Sequence, residues 1–190
     1  MAGVTGDEVV RFRGVPDRID LPAGRHLRRW SVDDVDAQVA AVNASLEHLR
    51  PWMPWAGEAA TSESAGTFVR ESIQQFEEGT AFNFAIRADD GEIVGGAGLM
   101  ARQGPGVLEI GYWVAAGHTG RGIATDVSRA LTEAARAVEG CTRVEIRCDV
   151  ANVPSAAVPR RLGFTLVAVE DRELTAPGEA GRTEVWSIAV

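Results

Sequence analysis

Three glycines within six residues, in the segment Gly117-His118-Thr119-Gly120-Arg121-Gly122, lie where a strand-like apolar run gives way to a helical pattern. Backbone N–H groups at a helix start lack intrahelical partners and carry the positive end of the helix dipole, so a glycine-lined turn there lets a pyrophosphate approach closely. Arg121 adds a guanidinium for a phosphate oxygen. A P-loop would need a Gly-Lys-Ser/Thr ending, which is absent here, and the third glycine position of a Rossmann motif is occupied by Thr125. The segment therefore does not match the common ATP-binding and NAD-binding motifs. For the glycines alone, a plain strand-to-helix turn is the alternative.

The run Glu109-Ile-Gly-Tyr-Trp-Val114, followed by Gly120-Arg-Gly-Ile-Ala-Thr125, is similar to motif A of GNAT acetyltransferases. The family pattern is Gln/Arg-x-x-Gly-x-Gly/Ala, so Gly122 and Ala124 match, whereas Thr119 replaces Gln or Arg. The resemblance implies that acetyl-CoA is bound here as the acyl donor. The residues that it assigns to this cofactor in motif A are Trp113, Val114, Thr119, Gly120, Arg121, Gly122, Ile123, Ala124 and Thr125.

The segment from Asn152 to Phe164 is similar to motif B of the branch that acetylates the N-termini of ribosomal proteins, and Leu49-Arg-Pro-Trp-Met-Pro-Trp55 is similar to an aromatic segment of that branch. The resemblance implies that Asn152 hydrogen-bonds the pantetheine arm. It also implies that Ser155 contacts the cofactor and protonates the leaving thiolate, because the tyrosine that many members use falls on Pro159 here.

Pro159 is also expected to alter the helix geometry at Ser155. Proline has no N–H to donate to the carbonyl four residues earlier, which belongs to Ser155, and its ring pushes that carbonyl aside. We therefore expect the helix to be distorted at Ser155. The alternative is that Asn152 merely caps this helix, with Pro154 in the first turn and Ser155 exposed.

Further site roles follow from the resemblance. The backbone N–H of Val114 would stabilise the tetrahedral oxyanion, a contribution of roughly 3 kcal/mol. Glu109 would take the amine proton, directly or through water, or else it is a solvated strand carboxylate. Trp52 and Trp55 would wall the acceptor site, or else pack in the core or in a dimer interface.

The periodicity of the chain predicts an α+β protein with a mixed, mostly antiparallel sheet and about four helices, and the resemblance implies the GNAT fold. We predict one acetyltransferase domain over residues 25–190, preceded by an N-terminal extension over residues 1–24. The predicted strands are 26–30, 81–88, 92–102, 107–115, 144–150, 164–170 and 184–190, and the predicted helices are 35–46, 61–79, 120–138 and 153–162.

Composition narrows the function classes. The chain has 190 residues with 45% hydrophobic and 24% charged residues, which is typical of a folded globular domain. Its net charge of −8 repels nucleic-acid backbones and favours cationic partners such as amines or basic tails. Residues 1–10 carry no signal-peptide pattern and no run approaches the ~18 apolar residues of a membrane span, so we expect a cytoplasmic protein without membrane contact.

Cysteines and histidines suggest no further chemistry. Cys141 and Cys148 are predicted to point to opposite strand faces, which disfavours a disulfide between them. The histidines show no metal-ligand spacing, so no metal is expected.

The sequence thus predicts an N-acetyltransferase that moves an acetyl group from acetyl-CoA to a primary amine by direct attack in a ternary complex. A protein N-terminus is the preferred acceptor, and a small amine such as an antibiotic or metabolite is the second. A non-catalytic acyl-CoA-binding module is the third reading, because Thr119 and Pro159 depart from the family pattern. Homodimer formation stays open.

Overall fold

Eight strands form one mixed sheet in the computed structural model, which describes residues 10–190. The strands are β1 (Arg18–Asp20), β2 (His26–Arg29), β3 (Ala81–Arg87), β4 (Ile93–Met100), β5 (Val107–Val114), β6 (Arg143–Asp149), β7 (Thr165–Asp171) and β8 (Arg182–Ala189). Their spatial order is β1-β2-β3-β4-β5-β6-β8-β7. All neighbours pair antiparallel except β5 and β6, which are parallel. The predicted mixed, mostly antiparallel sheet is confirmed.

The described chain has five α-helices rather than about four: α1 (Val35–Asn43), α2 (Leu46–Leu49), α3 (Ser62–Glu78), α4 (Ile123–Arg136) and α5 (Val153–Arg161). The first predicted helix is divided at Ser45, whose backbone leaves the helical region and whose Oγ accepts a hydrogen bond from the Ala116 N–H at 3.0 Å. The third starts three residues later than predicted, because Gly120 and Gly122 have φ values of +72° and +76°. Such values do not occur inside a right-handed helix.

The core lies on both faces of the sheet. On one face, α4 and α5 pack over β4 to β6, and the apolar residues Val127 and Leu131 of α4 are fully buried there. On the other face, Val69 of α3 packs with Trp30 and Ala85. Each fully buried side chain of this size contributes about 1.5–3 kcal/mol. In residues 10–190 no helix has both the length and the apolar character needed to cross a bilayer.

The N-terminal segment joins the same sheet as far as it is described. Strand β1 was not predicted, because its three residues carry little periodicity, but it pairs with β2 over its whole length. Phe12, Val15 and Leu21 are buried in the common core. The boundary after residue 24 stays a prediction, and residues 1–9 of the predicted extension lie outside the described residues.

Candidate active site

The parallel strands β5 and β6 diverge halfway along their length. Their register runs only from Val107 opposite Arg143 to Ile110 opposite Ile146, although β5 continues to Val114 and β6 to Asp149. The Ala115 N–H donates to the Val94 carbonyl of β4 at 2.9 Å. Because successive N–H groups of a strand point to opposite edges, the Val114 N–H faces the gap between β5 and β6. The predicted oxyanion donor is therefore directed into this gap.

A cavity of about 860 Å³ adjoins the gap and extends over the sheet. Its wall brings together six of the side chains that the sequence selected, from three separate parts of the chain: Trp52, Trp55, Glu109, Trp113, Asn152 and Ser155. Val114 and the turn over residues 119–125 do not belong to this wall. The predicted site therefore has two parts, the cavity and the glycine turn that follows β5.

The glycine turn leaves the start of α4 accessible. The first intrahelical bond runs from the Asp126 N–H to the Gly122 carbonyl at 3.0 Å, so the N–H groups of residues 123–125 have no intrahelical acceptor. No side chain caps this helix start. A Cβ added to Gly117, Gly120 or Gly122 would meet nothing within 4 Å. A cradle of this kind fits a phosphate group.

Hydrogen bonds within the turn fix its shape. The Thr119 Oγ1 donates to the Ala116 carbonyl at 3.1 Å, and the Arg121 guanidinium donates to the Gly117 carbonyl at 3.0 Å. Thr119, which replaces the usual Gln or Arg, thus holds the loop instead of reaching outwards. Arg121 uses one of its donors on the loop and remains exposed, so its others can reach a phosphate oxygen.

Ser155 lies in the first turn of α5, beside the gap. The Asn152 Oδ1 accepts a hydrogen bond from the Ser155 N–H at 3.2 Å, which is the capping contact weighed as the alternative for Asn152. Asn152 and Ser155 nevertheless both line the cavity, and Ser155 is half-buried rather than exposed. Asn152 thus both caps the helix and lines the cavity. The roles of Asn152 and Ser155 in catalysis stay predictions.

Tyr112 is a site residue that the sequence analysis did not select. Its Oη lies 3.0 Å from the Ser155 Oγ and 3.3 Å from the Ser155 carbonyl oxygen. Burial raises the pKa of Tyr112 to about 12, although the hydrogen bond with Ser155 acts in the opposite direction, so the phenol is neutral at physiological pH. The signal available in the sequence was that the only tyrosine of the chain lies on β5, two residues beyond the last β5–β6 pair.

Glu109 lies on the cavity wall but is held by an ion pair. It is only 4% exposed, and its carboxylate accepts hydrogen bonds from the Arg102 guanidinium, including one from Nε at 2.9 Å, and from the Gln103 amide. Burial alone would raise the pKa of Glu109, but Arg102, Gln103 and Arg147 outweigh it and the pKa is lowered. An ionised carboxylate with both oxygens engaged is a weak base. This geometry favours a structural role, and the base role stays a prediction.

The substitution Glu109→Gln tests these two roles, with Glu145→Gln as a matched control. Glu145 is the cross-strand neighbour of Glu109, is also 4% exposed and is paired with arginines, but it does not line the cavity. We expect both variants to lose about 2 kcal/mol of unfolding free energy, as for a charge-assisted hydrogen bond, and to keep kcat within about tenfold. Denaturant unfolding and steady-state kinetics measure this. A loss of kcat of about a hundredfold or more in Glu109→Gln alone would establish Glu109 as the base.

Trp113 and Trp55 form the aromatic wall of the cavity. Their rings pack edge to face with centroids 6.0 Å apart, and Trp55 is 52% exposed. A Cβ on Gly96 of β4 would lie 2.5 Å from the Trp113 Nε1, so this glycine makes room for the indole. Trp113 and Tyr112 are consecutive on β5 and therefore point to opposite faces of the sheet. The indole thus faces the aromatic segment, while the phenol faces α5.

The loop between β7 and β8 is tied to the cavity by one carboxylate. The Asp149 carboxylate at the end of β6 accepts backbone N–H groups from Ala151 at 2.8 Å, Ala180 at 2.9 Å, Gly181 at 3.1 Å and Arg182 at 3.3 Å. Burial has a raising effect on the pKa of Asp149, but these hydrogen bonds outweigh it and lower the pKa. Within the same loop, the Gly178 N–H donates to the Pro51 carbonyl at 2.9 Å, which joins the loop to the aromatic segment.

We expect Asp149→Ala to release this loop, to raise KM for the acceptor roughly fivefold, which corresponds to about 1 kcal/mol, and to speed tryptic cleavage after Arg172. Asp171→Ala is the control, because the Asp171 side chain is 96% exposed. Unchanged KM and proteolysis in Asp149→Ala would show that the loop holds without Asp149.

The same carboxylate makes the stability of the fold depend on pH. Since the pKa of Asp149 is lowered in the folded protein, its contribution to stability is present above the unfolded pKa and is lost as the pH falls through the folded pKa, below 3.8.

A glycine-lined helix start, next to a gap between two diverging parallel strands with a hydroxyl pair beside it, is the arrangement of an acyl-CoA-dependent N-acyltransferase. The sequence agrees with this class, because the acetyltransferase (GNAT) domain matches residues 25–165. The chain belongs to the GNAT acetyltransferase family. It is an acetyl-CoA-dependent acetyltransferase, and the fold expected from motifs A and B is confirmed.

Solved structures with the same fold include N-terminal acetyltransferases. RimJ of Mycobacterium smegmatis, in complex with CoA-disulfide, is 27% identical, with a TM-score of 0.84 over 95% of this chain and 90% of that chain. RimL, a ribosomal L7/L12 α-N-protein acetyltransferase in complex with coenzyme A, is 25% identical, with a TM-score of 0.82 over 91% and 98%. The microcin C7 self-immunity acetyltransferase MccE, in complex with acetyl-CoA and AMP, is 21% identical, with a TM-score of 0.80 over 89% and 97%, which shows the fold alone. No curated protein matches this chain significantly in sequence.

Proposed function

We propose that this enzyme transfers the acetyl group of acetyl-CoA to a primary amine, with a protein N-terminus as the acceptor, by direct attack in a ternary complex. The observation that carries the proposal is the gap between β5 and β6, which has an inward-facing Val114 N–H on one side and the Ser155 hydroxyl on the other. Direct transfer needs one donor for the carbonyl oxygen and one for the leaving sulfur. The gap provides a candidate for each.

The cofactor is bound by backbone groups in this proposal. The N–H groups of residues 123–125 and the guanidinium of Arg121 hold the diphosphate, because a helix start with three unbonded donors and no side-chain cap is suited to an anion. Asn152 contacts the pantetheine arm from the far side of the gap. The thioester then lies between β5 and β6, with its carbonyl oxygen toward Val114.

Three groups on the cavity wall act on the acceptor. Trp52 and Trp55 present apolar surface to the residue that carries the amine, and Trp113 completes this wall from β5. The attacking nitrogen must be neutral, so its proton leaves before or during attack. Because both Glu109 oxygens are engaged by Arg102 and Gln103, we assign this proton to water in the cavity rather than to Glu109 directly.

The preference for a protein N-terminus rests on shape, charge and relatives. The cavity has a volume of about 860 Å³, and it is bordered by the aromatic segment and by the β7–β8 loop, which meet at Gly178 and Pro51. A slender, extended chain end fits such a space. The net charge of −8 attracts the basic tails of ribosomal proteins. RimJ and RimL share the fold at 25% to 27% identity, and RimL acts on ribosomal L7/L12. We infer that the enzyme works in the cytoplasm.

The test is thiol release from acetyl-CoA in the presence of peptides that begin with Ala or Ser. Matched peptides with an acetylated N-terminus and an internal lysine are the control, because they retain an amine but lack the α-amino group. We expect turnover with the free N-termini and none with the blocked peptides. Turnover confined to small amines, such as polyamines or aminoglycosides, would overturn the choice of acceptor, and no turnover with any amine would overturn the proposed function.

A further inference from the structure

The Tyr112 hydroxyl contacts the one carbonyl of α5 that loses its helical hydrogen bond because of Pro159. Pro159 lacks the N–H that would bond the Ser155 carbonyl in a regular helix. In the structure, the Tyr112 hydroxyl lies 3.3 Å from this carbonyl oxygen and donates to it. The same hydroxyl lies 3.0 Å from the Ser155 Oγ, where either oxygen can be the donor. A phenol on β5 therefore holds both oxygens of Ser155.

The phenol has a single hydrogen for these two acceptors, so two arrangements alternate. In one, Tyr112 donates to the Ser155 carbonyl and the Ser155 hydroxyl donates back to the phenol oxygen. In the other, Tyr112 donates to the Ser155 Oγ, and the hydrogen of Ser155 is released from the phenol to point toward the neighbouring Cys148 thiol or into the cavity that all three residues line. A neutral phenol can take part in both arrangements, and Tyr112 is neutral because burial raises its pKa to about 12.

We propose that Tyr112 is a positioning residue that directs the Ser155 hydroxyl hydrogen at the leaving sulfur, a role that rests on the proposed acetyl transfer. As the C–N bond forms, the C–S bond breaks and its electron pair stays on sulfur. Ser155 donates a hydrogen bond to that thiolate while Tyr112 donates to the Ser155 Oγ. The amine proton passes to water, so neither hydroxyl loses its proton overall. The aromatic hydroxyl that many family members carry on α5 thus has a counterpart on β5.

The experiment compares Tyr112→Phe, Ser155→Ala and the double variant, with Ser72→Ala as a control. Ser72 is a buried serine of α3 outside the cavity, and its Oγ has no hydrogen-bond partner among the described residues. We expect Tyr112→Phe to lower kcat about tenfold, equivalent to one hydrogen bond of about 1.4 kcal/mol, with KM for acetyl-CoA unchanged. In the Ser155→Ala background the same change should have no further effect on kcat, because Tyr112 acts through Ser155.

A spectroscopic measurement tests the contact apart from turnover. Tyr112 is the only tyrosine, so the tyrosine Fermi doublet in the resonance Raman spectrum reports its hydrogen bonds alone. We expect Ser155→Ala to change the doublet and Ser72→Ala to leave it unchanged.

An active wild type whose kcat is insensitive to Tyr112→Phe would overturn this inference and leave the proposed function standing. Multiplicative losses of kcat in the double variant would do the same, since they show that Tyr112 acts independently of Ser155. An unchanged doublet in Ser155→Ala would overturn the contact itself. A wild type without amine-dependent turnover would overturn the proposed function, and this role with it.

Discussion

Replacing Gly122 by valine is expected to weaken coenzyme A binding by at least about a hundredfold, the equivalent of losing two charge-assisted hydrogen bonds of about 1.5 kcal/mol each. Gly122 precedes α4 with φ at +76°, and a Cβ added there would meet nothing within 4 Å, so it would occupy open space next to the start of this helix. A branched side chain there keeps a diphosphate away from the unbonded N–H groups of residues 123–125. Isothermal titration calorimetry with coenzyme A measures the loss.

Backbone strain alone must be separated from obstruction of the cofactor. A non-glycine residue with positive φ costs about 1–2 kcal/mol wherever it occurs. Gly140, which follows α4 at its other end, has φ at +79°, and a Cβ there also meets nothing within 4 Å. Gly140→Val therefore carries the same strain away from the turn. We expect similar losses of thermal stability in both variants, but normal coenzyme A affinity in Gly140→Val. Normal affinity in Gly122→Val would show that the diphosphate is bound elsewhere.

The parts of this site that could be predicted are those in which function and local structure use the same residues. The glycines over residues 117–122 that allow close approach to a helix start are local in sequence, so the turn could be selected as a candidate anion site from their spacing together with the resemblance to motif A. The helix α5 likewise begins after the cap residue Asn152 and contains Pro159 in its interior, where the expected distortion stays a prediction. The positions of seven of the eight strands were also predicted from their local residue patterns, whereas β1 was not. These features are local in sequence, and the structure contains them.

The parts that could not be predicted depend on contacts between distant residues. Tyr112 and Ser155 are 43 positions apart, and no local pattern reveals which hydroxyl fills the place opposite Pro159. Three of the four backbone partners of Asp149 are also distant, because its carboxylate accepts hydrogen bonds from the N–H groups of residues 180–182, which are 31 to 33 positions away, beyond the whole of β7. The division between α1 and α2 depends on Ser45 bonding Ala116 across 71 positions. In each case a side chain forms a hydrogen bond with a backbone N–H or C=O group that has no partner in the local sequence.

Ser155→Ala is expected to lower kcat about a hundredfold, the lower end of the range for removing one hydrogen-bond donor to developing negative charge, while the Kd of coenzyme A stays within about threefold. The expected split follows from the proposed mechanism, in which Ser155 acts on the sulfur only when the C–S bond breaks and the diphosphate is bound by the separate turn before α4. The alanine keeps the backbone N–H that the Asn152 Oδ1 accepts at 3.2 Å, so the cap of α5 is preserved.

Comparison with Ser72→Ala excludes a general effect of losing a buried hydroxyl, because Ser72 lies 2% exposed on α3 and outside the cavity. Single-turnover and steady-state rates with one good peptide acceptor would measure the chemical step and product release separately. Equal rates in Ser155→Ala and the wild type would reassign the donor, and the cavity wall then leaves Tyr112 as the next hydroxyl, followed by the thiol of Cys148. Burial raises the pKa of that thiol to about 11, so it is protonated at neutral pH and retains a hydrogen to donate. Tyr112→Phe in the Ser155→Ala background would then distinguish the two, because only a phenol donor predicts a further loss of rate.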